Sequence, residues 1–295
     1  MKAVLFKRAG SADGLVLDEI PEPVPEANEI LVKVRAASVT RGDVVLRRIP
    51  RIVARLFRLG RKAILGHEFA GDVKAVGSDV RLFEIGDRVF GTTTGLGTGS
   101  YAEYICVPAD GVITRIPAGV RYEEAAPIPI GGMTALHFLR EGGVGRGKLV
   151  LVYGASGSVG TFAVQLAHHF GAHVTGVCST SNVELVRSLG ADEVIDYTQE
   201  DFTQGGRTYD VIFDAVGKAS PKRSQELLTV NGKYVSVRSS TERRENLLEI
   251  AELLDIRAIK AVIDRRYALA DVREAHRYVE RGRKRGNVAI TVAKE

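Results

Sequence analysis

The sequence has two cysteines in 295 residues and no uninterrupted apolar run long enough to span a membrane. Two thiols are too few for a disulfide framework or a four-cysteine zinc lobe. Cys106 and Cys178 both lie in apolar, strand-like runs, where a small buried hydrophobe is the expected role. The opening MKAVLFKRAG turns polar before an apolar signal region can form, so the expected compartment is the cytoplasm. Tandem repeats and low-complexity tracts are missing, and no Ser/His/Asp or Cys/His grouping reads as a nucleophilic catalyst. The net charge is only +5, and no nucleic-acid partner is expected.

What remains is ordinary globular composition, 45% apolar and 26% charged. At this length a single core stops growing and two domains are the default. The chain is organised around residues 149–180, LVLVYGASGSVGTFAVQLAHHFGAHVTGVCST. An apolar strand enters a glycine-punctuated turn, an amphipathic helix with Phe162, Val164, Leu166, Ala167 and Phe170 follows, and a second strand closes a βαβ unit. Ala155, Gly157 and Gly160 occupy the spacings of the G-x-G-x-x-G fingerprint, with Gly154 just before them. Gly157 would let a pyrophosphate approach the backbone, Gly160 would let helix and strand pack closely, and the helix N-terminus would hold the anion. The same triplet without this context is a plain turn.

Residues 1–118 read as short strands at 3–7, 15–19 and 30–35, then two in LGHEFAGDVKAVGSDVRLFEIGDRVFG and one in YAEYICVP, a pattern that suggests a small, partly open barrel. After Pro127 and Pro129 a helix is predicted over 132–140. Strands at 193–196, 210–214 and 233–237 then alternate with helices at 183–189 and 220–228, the grammar of a doubly wound parallel sheet. The tail predicts helices near 242–254 and 270–281 and a last strand, NVAITV, that returns to the N-terminal barrel.

These stretches, with GGMTALHFL, GADEVIDYTQEDF, YDVIFDAVG and VIDRRYALADVREAHRYVERGRKRGNVAITV, resemble the zinc-independent branch of the medium-chain dehydrogenase/reductase superfamily, the quinone oxidoreductase or zeta-crystallin-like proteins. The resemblance implies an α/β fold with a GroES-like domain (1–120 and 265–295), a Rossmann domain (121–264) and an active site in the cleft between them. It implies NADPH, with NADH the lesser candidate, and a quinone, enone or similar electron-poor acceptor as substrate. The cofactor site it implies comprises Thr134, Ser156, Gly157, Ser158, Val159, Gly160, Ser179, Asn182, Tyr197 and Val216. Thr134 is equally a helix cap, and Tyr197 equally a half-buried aromatic at a strand end. Thr40 and Asp43 match positions where relatives place polar residues beside cofactor and substrate, although an Asp in RGDV is also a turn former.

Three departures from the family pattern matter. Gly66-His67-Glu68 looks like the GHE of zinc-dependent alcohol dehydrogenases, but catalytic zinc needs three protein ligands. Thr40 stands where the first cysteine would be and PIPIGGMT lacks the third, so no metal is expected and His67 is read as structural. Second, only residues 238–241 separate the fifth strand from the helix before VIDRRY, so the usual sixth strand is expected to be missing. The dimer seam of the family is then in doubt, leaving a monomer or an altered dimer. Third, residues 179–182 carry no acid for the ribose hydroxyls of NAD and no cation for a 2′-phosphate; Tyr197 partly restores the NADPH assignment. The alternative from another class is a non-catalytic NADP-binding sensor or interaction module. Finally, residues 47–62 hold seven basic side chains and no acid. They predict a basic amphipathic helix, either a solvated face or a weak contact for anionic surfaces.

Overall fold

The computed structural model describes residues 1–49, 64–237 and 242–293. The chain divides into two compact units, Met1–Ile130 with Arg243–Glu252 and Ile263–Glu295, and Gly131–Glu242 with Leu253–Val262. Most of the predicted basic helix, residues 50–62, and the short connection 238–241 lie outside the described residues.

The first unit opens with an antiparallel pair, β1 (Lys2–Phe6) and β2 (Leu15–Glu19). Its centre is β3 (Glu29–Ser38), which pairs antiparallel with both β4 (Glu68–Val76) and β6 (Tyr104–Pro108). β5 (Arg88–Thr92) and β7 (Ile113–Arg115) continue the sheet beyond β4. The β3–β4 register shifts between Leu31 and Val32 and again between Val34 and Ala36. An extra residue in one strand bends it and increases its twist, which curls the sheet toward the expected barrel. Ile30, Val32 and Val34 are fully buried with Phe69 and Val73, each burial worth roughly 1.5–3 kcal/mol. Two short helices belong here, α1 (Arg41–Arg48) and α2 (Tyr122–Ala125).

The second unit begins with α3 (Pro129–Gly142, whose first two residues belong to the first unit) and is built on five parallel strands. They are β8 (Leu149–Tyr153), β9 (His173–Cys178), β10 (Glu193–Asp196), β11 (Tyr209–Asp214) and β12 (Leu228–Ser236), in the spatial order β10-β9-β8-β11-β12. Between them run α4 (Ser158–His169), α5 (Val183–Ser188) and α6 (Pro221–Gln225). This is the doubly wound sheet that was expected, with no sixth strand among the described residues. The order reverses between β8 and β11, and ligands of such sheets bind at that switch point, beyond the carboxyl ends of the strands. In α4 the residues Phe162 to Ala167 are all buried. The one amide among them is satisfied: Gln165 Nε2 donates to Thr161 O at 2.8 Å and to Lys260 O at 3.1 Å, and Gln165 Oε1 accepts from Lys260 N at 2.9 Å.

Beyond α7 (Arg244–Asp255) the chain completes the first unit with β13 (Ile263–Ala268), α8 (Val272–Glu280) and β14 (Asn287–Thr291). β14 pairs antiparallel with β3 and parallel with β13, so the last strand does return to the first sheet. Among the described residues no helix is long and apolar enough to cross a membrane.

Candidate active site

In the second unit, β8 runs into a turn at the switch point. Gly154 takes φ +80°, a left-handed conformation that favours glycine, and the N–H groups of Gly154 and Ala155 both donate to Val177 O at 3.0 Å. Gly157 is the N-cap of α4 and has no capping side-chain bond, so the first turn of the helix offers its N–H groups outward. The two fingerprint glycines differ in kind. A Cβ on Gly160 would lie 2.1 Å from Gly154 O and 2.8 Å from Ala155 Cα, so close packing of the turn against α4 demands glycine there. A Cβ on Gly157 would meet only Gly154 O, at 3.4 Å, and its φ of −80° suits any residue. The fold itself therefore makes no demand for glycine at 157; a phosphate approaching the backbone from outside would.

The other expected cofactor positions gather around this turn. Asn182 Nδ2 donates to Ser156 Oγ at 3.2 Å and to Ser179 Oγ at 3.0 Å, while Asn182 Oδ1 is buried without a hydrogen-bond partner. Tyr197 N–H donates to Cys178 O at 3.0 Å, which anchors the residue beside Ser179, and the residue is 55% exposed. The nearest acid, Asp196, is committed to Thr198 N and Thr198 Oγ1 at 3.0 and 2.7 Å. On the β11 side, Val216 packs over Gly154 yet stays half exposed. Its loop is held by Asp214, a fully buried residue that patterns had not marked: its carboxylate accepts from the N–H groups of Val216, Gly217 and Ala219 at 3.1, 2.8 and 2.8 Å. Ser158 and Val159 form the first turn of α4. Thr134 is buried in the second turn of α3, so it does not cap that helix.

In the first unit, Thr40 and Asp43 form a capping box on α1. Thr40 N and Thr40 Oγ1 both donate to Asp43 Oδ2 at 2.7 Å, and Asp43 N donates back to Thr40 Oγ1 at 3.1 Å. The second carboxylate oxygen, Oδ1, lies 2.6 Å from His67 Nδ1. Asp43 is fully buried. Burial works to raise its pKa, but the charge and hydrogen bond of His67, with His276 and Thr40, outweigh it and hold the carboxyl down to about 2. Tyr101, also fully buried, bonds to Asp43 through its hydroxyl, and its pKa is pushed well above the usual tyrosine value by burial and by the Asp43 charge.

Behind Tyr101 stands His276, delivered by α8, with Nε2 at 3.2 Å from the hydroxyl and the rings edge to face. Burial pulls its pKa down to about 4, so it is neutral at physiological pH. Glu68 is buried too, accepting from Ile130 N at 2.7 Å and from Ser38 Oγ. Arg47, the first residue of the predicted basic stretch, is fully buried rather than solvated, with Nη2 at 3.0 Å from Glu280 Oε1. Tyr101 carries no sequence signal, Glu68 enters only through the GHE motif, and His276 lies on a predicted helix where a solvent or packing role is the expectation.

The GHE histidine is thus tied to a carboxylate through Nδ1, and among the described residues no three His, Cys, Asp or Glu side chains group as a metal would require. The donor set does not fit a catalytic zinc.

Residues 26–118 match the alcohol dehydrogenase GroES-like domain, and residues 158–281 match the zinc-binding dehydrogenase family. A 2-methylene-furan-3-one reductase from Solanum lycopersicum is 32% identical over 311 residues, spanning 98% of this chain and 79% of the relative. The chain belongs to the medium-chain dehydrogenase/reductase superfamily, among its quinone oxidoreductases. The quinone oxidoreductase of Coxiella burnetii has the same fold, with a TM-score of 0.90 at 29% identity over 99% of both chains. The Escherichia coli quinone oxidoreductase complexed with NADPH aligns with a TM-score of 0.85 at 25% identity, over 99% of this chain and 100% of that one. The second of these family descriptions names zinc binding, and among the described residues no three His, Cys, Asp or Glu side chains group so as to hold a metal.

Proposed function

We propose that this NAD(P)H-dependent oxidoreductase is a zinc-independent NADPH reductase of quinones, enones or related electron-poor acceptors. The observation that carries the cofactor assignment is the glycine turn at the sheet's switch point, where Gly157 is free of any demand from the fold and Asn182 Oδ1 is buried without a partner. Bound there, the nicotinamide supplies the hydride. Ser158, Val159 and Gly160 would hold the pyrophosphate through the helix N-terminus. Ser156, Ser179, Asn182 and Tyr197 would take the ribose end, and with no free acid among them a 2′-phosphate meets no repulsion there. Val216 and Thr134 would border the nicotinamide half.

In the first unit Asp43 acts as a positioning residue. Its anion accepts from His67 Nδ1 and so holds the imidazole ring in place. The preference for electron-poor acceptors is supported by the donor set: among the described residues no third ligand joins His67, and such acceptors need no Lewis acid. The tomato relative acts, by its name, on an enone, and the Coxiella and Escherichia proteins are named for quinones. Two free thiols suit a reducing compartment, and we place the enzyme in the cytoplasm.

The test is a panel of quinones and enones, with loss of reduced-nicotinamide absorbance as the readout and NADPH binding measured separately. Turnover of at least one class, unchanged by chelators, is the expected result. Tight NADPH binding with no turnover of any acceptor would instead make the protein a non-catalytic cofactor-binding module.

A further inference from the structure

The first unit holds a second concentration of charge that the proposed reaction does not use. A depression of about 510 Å³ is lined by Arg35, Asp72, Arg88, Arg121 and Tyr122, with Gly119 and Val120 as its backbone wall. Three guanidiniums face one carboxylate. How the strands place them is informative. Asp72 on β4 and Arg88 on β5 are direct partners in the antiparallel register, the position where opposite charges normally pair. They do not pair here. Asp72 is already occupied on both oxygens: Oδ2 accepts from Arg35 Nε at 2.7 Å, and Oδ1 accepts from the Tyr122 hydroxyl. Arg35 reaches it from the β3 irregularity between Val34 and Ala36, where a bulge re-aims the side chain.

Arg88 is turned elsewhere. Its guanidinium lies 4.4 Å from the centre of the Tyr122 ring, and Nη2 donates to Val120 O at 2.7 Å. A ring face and a carbonyl orient a cation but do not neutralise it. Arg88 has no carboxylate partner among the described residues, and the field of Lys74 adds to the same side. Asp72 stays ionised: burial would raise its pKa, but Tyr122, Arg35 and Lys74 lower it below the usual carboxylate range. Arg121 stands at the rim with its side chain 61% exposed, where it pairs with Glu124.

We propose that this depression is a binding site for a small multivalent oxyanion, a phosphate ester or a dicarboxylate, read by the planar guanidinium of Arg88 with Arg121 at the rim. A guanidinium already held flat by a ring and a carbonyl loses little freedom when it closes on an oxyanion, and its fork geometry matches both carboxylate and phosphate. The site is separate in sequence and in folding unit from the glycine turn, so it stands whether or not the reductase assignment does.

The experiment is calorimetric titration of the full chain with inorganic phosphate and, in a second arm, succinate, against sodium chloride at equal ionic strength. One or both anions should bind saturably; the arm that binds more tightly names the source. Arg88→Gln should weaken that binding roughly tenfold or more, the worth of a charge-assisted bond. Arg121→Glu, at an exposed position, should weaken it by a similar factor through charge reversal. Arg187→Gln, a surface control paired with Glu184, should leave it unchanged. Phosphate held only at the glycine turn would survive both Arg88→Gln and Arg121→Glu, and that result overturns the proposal. So does the lack of any binding above chloride. If Arg88→Gln fails to fold, unchanged affinity in Arg121→Glu is by itself sufficient to reject the site.

Discussion

Asp43→Asn is the most informative single change in the first unit. The carboxylate accepts from Thr40 N, Thr40 Oγ1, His67 Nδ1 and the Tyr101 hydroxyl while fully buried. An amide of the same shape keeps one acceptor oxygen and turns an NH2 group toward donors. Loss of the reciprocal helix cap costs about 1 kcal/mol, and loss of one bond to a charged acceptor about 2 kcal/mol. A destabilisation of about 3 kcal/mol follows, roughly 6–12 °C in melting midpoint for a chain of this size. The pH dependence separates this cause from mere packing. The folded pKa of about 2 lies below the unfolded value of 3.8, so the stabilisation is fully present above 3.8 and is lost as pH falls through 2. That drop corresponds to about 2 kcal/mol. Urea unfolding of parent and variant should therefore show a gap of about 3 kcal/mol near neutral pH that shrinks to about 1 kcal/mol by about pH 2. A gap that does not change with pH would refute the assignment of Asp43 as a buried anion.

Other outcomes test the second unit. Gly157→Ala should leave stability within about 1 kcal/mol yet weaken NADPH binding at least about tenfold, because the added methyl meets the ligand and not the chain. Gly160→Ala should destabilise by about 2 kcal/mol or more, since its Cβ would strike backbone atoms; equal melting points for the two variants would contradict the distinction. Asn182→Asp should weaken NADPH roughly tenfold through repulsion of the 2′-phosphate while NADH changes far less, as fluorescence titration with both cofactors would report. Val230→Lys, at a fully exposed position on the edge strand β12, should alter stability by less than about 0.5 kcal/mol. A larger loss would show that edge to be covered in solution.

The parts of the fold that came through in sequence are those where periodicity and punctuation agree. β2 and β10 match the expected bounds to the residue, because each opens shortly after a glycine-containing turn and closes at a run of polar or proline residues. α6 was expected over 220–228 but ends at Gln225, and β12 begins at Leu228 rather than 233. The β-branched pair Thr229-Val230 already follows the strand, and the register shift before Val211–Lys233 hides its continuity behind Asn231-Gly232. α1 was missed because RGDV reads as a turn, although Thr40-x-x-Asp43 carries the capping-box spacing that starts a helix. The basic stretch 47–62 misled at its first residue for a related reason: charge pattern says which face is polar only if every charge is solvated, and Arg47 is fully buried beside Glu280.

The glycine turn was legible because all its parts lie within one local βαβ unit, where spacing is geometry. The Asp43 network was not, because its members come from α1, the residue preceding β4, the segment before β6 and α8, and Tyr101 and His276 are 175 residues apart. Only the sheet order brings them together, through β14 pairing with β3. The apolar residues Val272, Ala275 and Val279 on α8 mark the face that carries His276 inward, so its burial could be inferred but its partner could not. A hydrogen-bonded chain of this kind depends on the C-terminal segment as much as on the GHE motif. α8 supplies both the neutral His276 behind Tyr101 and the Glu280 that pairs with Arg47, so the state of Asp43, and through it the orientation of His67, is set in part by α8.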